Sequence, residues 1–87
     1  MNKFDFEVKI SLKKGILDTQ GMATEKVLKR MGYNINSINF GKDIKFSLES
    51  KDENSARKIA EQIAHGVLTN PVLETYELNI IKPEGEN

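Results

Sequence analysis

Near the start of the chain, Phe4, Phe6, Val8, Ile10 and Leu12 are apolar, while Asp5, Glu7, Lys9 and Ser11 between them are polar. A period of two held from residue 4 to residue 12 predicts a strand with one buried face, ended by Lys13-Lys14-Gly15. The period then changes. Ala23, Val27, Leu28 and Met31 recur at helical spacing and predict a helix from about Thr19 to Met31. Asp18 stands at its N-cap, where a carboxylate accepts a free amide of the first turn. Lys29 and Arg30 suit the negative end of the helix dipole, and Gly32 is placed as the C-terminal glycine cap.

The stretch NINSINFGKDIKFSLES follows, with Ile38, Phe40, Ile44, Phe46 and Leu48 all on even numbers. A hairpin turning at Gly41-Lys42 is one reading. A two-residue turn there sets Phe40 opposite Asp43 and Ile38 opposite Lys45, which brings charge onto the apolar side. A three-residue loop repairs that pairing but wants its glycine last. One long strand bent at Gly41 is the other reading, and both stay open. A second helix is capped by Asp52 and carries Ala56, Ile59, Ala60, Ile63, Val67 and Leu68 at three and four. Thr69-Asn70-Pro71 stops it. The last strand, from about Leu73, presents Tyr76, Leu78 and Ile80 on one face.

The order is β-α-β(-β)-α-β. Each helix has one apolar stripe and the sheet one apolar face, so the expected fold is α+β in two layers. An antiparallel ferredoxin-like sheet with two helices on one face is the nearest plan. With 87 residues, one domain is expected over residues 1–82, with a polar tail at 83–87. A chain this short buries only about 60–65% of its unfolded surface, so a core shared with a partner is a natural remedy.

Thirteen basic residues balance thirteen acidic ones, so no global field draws in nucleic acid or an anionic membrane. Of the basic residues only Arg30 and Arg57 are arginines, and arginine is the usual choice for bidentate phosphate and base contacts. The absence of cysteine excludes disulfides, thiolate nucleophiles and zinc–sulfur sites. The alternating first residues are unlike a signal peptide and nothing resembles a membrane span, so a cytoplasmic location is expected. His65, the single histidine, has no nominated partner for base catalysis or metal binding. Gly15, Gly21 and Lys13-Lys14 surround a helix start but match neither phosphate-binding glycine motif. The phenylalanines fall on buried parity and lack the basic-aromatic pattern of RNA-binding sheets. No catalytic residue and no metal ligand is expected; the chain reads as a module that binds another protein.

Three islands occur together in order and spacing: Leu17-Asp18-x-Gln20-Gly21, Gly41-Lys42, and Asn70-Pro71-Val72-x-Glu74-x-Tyr76. In combination they resemble the PurS family, the small subunit of phosphoribosylformylglycinamidine (FGAM) synthase, over roughly Val8 to Ile80. The resemblance implies a non-catalytic subunit that forms dimers or dimers of dimers. It also implies binding to a PurL-like synthetase and a PurQ-like glutaminase and help in passing ammonia between them. No cofactor is implied on this chain, ATP and Mg²⁺ belonging to the synthetase. The partner interface implied by the islands comprises Leu17, Asp18, Gln20, Gly21, Gly41, Lys42, Asn70 and Pro71. Thr19 departs from the family, whose members often have proline there, where it presets the first helical turn. The alternative is an ACT-like small-molecule-binding regulatory domain, which shares the element order.

Overall fold

The computed structural model describes residues 1–82. Three strands, β1 (Asn2–Leu12), β2 (Gly41–Ser50) and β3 (Glu74–Ile81), alternate with two helices, α1 (Thr19–Arg30) and α2 (Glu53–Ile63). The sheet has the order β2-β1-β3, antiparallel throughout. Its register sets Phe6 between Phe46 and Ile80, and Val8 between Ile44 and Leu78. The expected α+β antiparallel sheet with two helices is therefore present. The tail at 83–87 lies outside the described residues.

One face of the sheet is apolar, as the parity requires. Phe6, Val8 and Ile10 are buried beneath Ala56, Ala60 and Ala64. Alanines four apart let α2 approach closely, so the large side chains of the core come from the sheet. Phe6 stacks on Phe46 with ring centroids 5.7 Å apart. Asp52 caps α2 by accepting the Ser55 amide at 2.7 Å. Beyond Ile63 the helix widens into a π turn, Ala64–Leu68, marked by the Thr69 amide donating to the Ala64 carbonyl. The wider turn carries Val67 off the buried face, where the simple periodicity had placed it, and leaves it 78% exposed.

The hairpin reading of residues 35–50 is overturned. β2 begins at Gly41 and pairs with β1, and residues 34–40 form no regular structure. The single-strand reading is right about the absence of a turn, but Gly41 starts the strand instead of bending it. The physical reason is the charge conflict already noted: pairing with β1 puts Ile44, Phe46 and Leu48 opposite Val8, Phe6 and Phe4. Gly41 is required at this entry, because an added Cβ would lie 2.8 Å from the Ile10 carbonyl oxygen. Phe40, expected on buried parity, falls before the strand and is exposed.

α1 forms as expected and ends in a Schellman motif. Gly32, at φ +98°, follows the C-cap; its amide donates to Lys29 and that of Tyr33 to Leu28. Its packing is the surprise. α1 makes no substantial contact with the sheet or α2, and Met22, Val27 and Met31 of α1 and its cap are 47%, 46% and 65% exposed. Three strands about 4.8 Å apart make a sheet about as wide as one helix with its side chains. α2 fills that width. The radius of gyration is 17.1 Å, against about 12 Å for a compact chain of this length.

Candidate functional site

The chain leaves the sheet after Leu12 and returns at Gly41, whose strand partner is Ser11. Residues 13–40 are thus a single excursion that starts and ends at one end of the sheet. β3 begins at the same end, with Glu74 opposite Leu12. This topology brings the three islands together. Leu17, Asp18, Gln20, Gly41 and Lys42 line one cleft of about 480 Å³, together with Phe40, Leu73 and Glu74. Leu17 is 67% exposed at its rim.

Asp18 does more than cap α1. One carboxylate oxygen accepts the Gly21 amide at 2.8 Å and the other accepts the Phe40 amide, also at 2.8 Å. Gly21 is buried: an added Cβ would lie 2.3 Å from the Ile38 carbonyl oxygen. On the far wall, Lys42 pairs with Glu74 at 3.2 Å, and the same carboxylate accepts the Asn70 amide at 2.8 Å. The Asn70 side chain in turn accepts the Val72 amide at 3.0 Å and shapes the turn into β3. Pro71 lies apart from the cleft, in a hollow of about 210 Å³ shared with Lys13, His65 and Thr69. His65 tilts against Tyr76 with centroids 6.3 Å apart, and Tyr76 donates its hydroxyl proton to Glu61.

Sequence reasoning missed Phe40, Ile38 and Leu73 at this site. Nothing in the local pattern could show that the return leg lies against the helix start. Glu74 stood within the third island, and its charge, opposite to that of Lys42 in the second, was the signal available.

The electrostatics leave little reactivity. Hydrogen bonds from Phe40 and then Gly21 hold the Asp18 carboxyl below its ordinary value of 3.8. The Asn70 amide, and after it Lys42, holds Glu74 below 4.5. Both are anions at neutral pH with each oxygen already holding one partner, and their lowered pKa makes them poor proton acceptors for a substrate. Among the described residues no group of three metal-ligating side chains occurs, and no helix is long and apolar enough to cross a membrane.

A depressed carboxyl pKa fixes a sign. The stabilisation that Asp18 gives its neighbours is complete above 3.8 and is lost as pH falls through the lower folded value. In an acid titration followed by NMR, the Phe40 amide is expected to shift with a midpoint below 3.8. A midpoint at or above that value contradicts the hydrogen bond.

A sheet just wide enough for one helix, a second helix held clear of it, and a cleft whose carboxylates are held by backbone amides and one ion pair fit an assembly subunit. Comparison with known proteins agrees. The chain belongs to the PurS family: residues 5–82 match the family model PurS, phosphoribosylformylglycinamidine (FGAM) synthase. The PurS subunit of that synthase from Methanothermobacter thermautotrophicus is 30% identical over 83 residues, covering 95% of this chain and 99% of the relative. The crystal structure of Methanocaldococcus jannaschii PurS is similar with a TM-score of 0.79 at 28% identity, over 93% of this chain and 99% of that one. A PurS-like chain in the structure of PurLQS from Thermotoga maritima gives 0.83 at 27%, over 93% and 100%. These matches do not favour the ACT-like alternative.

Proposed function

We propose that this chain is the non-catalytic connector of a glutamine-dependent FGAM synthase. It binds a PurL-like synthetase and a PurQ-like glutaminase, and supports ammonia transfer between them. The reaction converts formylglycinamide ribonucleotide, ATP and glutamine to formylglycinamidine ribonucleotide, ADP, phosphate and glutamate. ATP and Mg²⁺ act on the synthetase, in the cytoplasm. Ammonia is largely protonated at neutral pH and diffuses away, so a subunit that holds donor and acceptor sites together raises its effective concentration.

The observation that carries this reading is α1. An isolated helix of its 12 residues is marginal in water, and among the described residues Met22, Val27 and Met31 of the helix and its cap are left exposed. Other chains complete it, a second copy in a homodimer or dimer of dimers among them. The partner-facing region comprises Leu17, Asp18, Gln20, Gly21, Gly41, Lys42, Asn70 and Pro71, with residues 1–82 acting as one unit. Within it Leu17, Gln20, Lys42 and Pro71 offer surface, while Asp18, Gly21, Gly41 and Asn70 hold its shape.

Size-exclusion chromatography with light scattering, run with both larger subunits, glutamine and a nucleotide, is expected to show one complex containing all three. A chain that elutes alone as a monomer in that mixture contradicts the proposal. The exposed Gln20 separates contact from scaffold. Gln20→Ala should weaken assembly about tenfold while changing folding stability by less than about 0.5 kcal/mol, as at other surface sites. A large fall in melting temperature would mark Gln20 as structural instead.

A further inference from the structure

We propose that Asp18 is a latch that fixes the direction in which α1 leaves the sheet, and thereby sets the geometry of assembly without itself touching a partner. This rests on the connector reading for its consequence, but its geometry stands alone. Among the described residues α1 makes no substantial contact with the sheet or α2, so its direction depends on the two legs that join it to the sheet. Among the described residues, the bond from the Phe40 amide to Asp18 is the one hydrogen bond or ion pair between the outgoing leg, 13–18, and the returning leg, 34–40. The same carboxylate holds the first turn of α1 through Gly21. One side chain therefore ties together the helix start, the outgoing leg and the returning leg. The missing side chain of Gly21 lets the helix start seat against the Ile38 carbonyl.

Asp52 is the internal comparison. It caps α2 through Ser55 and, among the described residues, forms no hydrogen bond to a distant segment. α2 lies on the sheet, which orients it without a latch. If capping were all that Asp18 did, serine would serve, since serine and aspartate are about equal at N-caps. Serine has a single, shorter-reaching oxygen and cannot hold two amides on opposite sides.

The test is Asp18→Ser. Lys26 and Lys58 are exposed and on the two helices, and the chain has no cysteine, so Lys26→Cys and Lys58→Cys accept spin labels cleanly. Labelled chain is diluted with unlabelled chain to isolate distances within one copy. Pulsed electron resonance is expected to give one narrow distance distribution in the parent and a broadened or displaced one in Asp18→Ser. Amide exchange should show the Phe40 amide unprotected and the Gly21 amide still protected. Affinity for the two larger subunits should fall at least tenfold. An unchanged distance distribution overturns the latch, whether or not the complex forms. A broadened distribution with parental affinity overturns its role in assembly and leaves the connector reading standing. Failure of the parent chain to assemble overturns both that role and the connector reading, and the distance distribution then decides the latch.

Discussion

Gly21→Ala is expected to lower affinity for the larger subunits at least a hundredfold while leaving the sheet folded. An alanine Cβ would meet the Ile38 backbone oxygen at 2.3 Å and the Asp18 carboxylate at 2.8 Å. Backbone cannot step aside as a flexible side-chain tip can, so the start of α1 must move away from the returning leg. That displacement also pulls Asp18 from the Phe40 amide. Helix propensity acts in the other direction, since alanine gains about 1 kcal/mol over glycine in a helix interior. The two effects fall on different observables. Helix content by circular dichroism should hold or rise, while a binding titration should report the loss. Parental affinity in Gly21→Ala would show that the seating of α1 on Ile38 is unimportant.

Phe6→Ala carries the largest expected cost to folding. Phe6 is fully buried at the centre of the middle strand, stacked on Phe46 and covered by Ala56 and Ala60. Truncating a buried phenylalanine costs about 3–5 kcal/mol, where whole domains have only about 5–15 kcal/mol. The alanines of α2 are already at close approach, and their methyl groups are too short to refill the space. Urea denaturation is expected to show most of the stability gone. A loss below about 1 kcal/mol would mean that the core is not centred on Phe6.

The contrast between these two glycine and phenylalanine sites shows what could be read in advance. β1 was legible because every inward residue from Phe4 to Leu12 is apolar and every outward one between them polar. The caps were legible because Asp18, Gly32 and Asp52 act within a few residues of themselves. The exposure of α1 was not legible. Its stripe of Ala23, Val27, Leu28 and Met31 has the spacing of a core-facing helix, and only the number of strands shows that the sheet has no room for it. The π turn hid the exposure of Val67 for a related reason, since a simple period of 3.6 continues past the point where the helix widens. At the site, the three islands could be recognised as a set. The contacts of Asp18 with Phe40 and of Gly21 with Ile38 span up to 22 residues, and no local pattern encodes where a returning chain will lie.

The most direct measurement is glutamine-dependent FGAM formation by the synthetase and glutaminase subunits, with and without this chain. The account predicts little turnover from the two larger subunits alone, restoration on adding the chain, and none from the chain by itself. Full activity in its absence, or any turnover by the isolated chain, would contradict the claim that it supplies position and no chemistry.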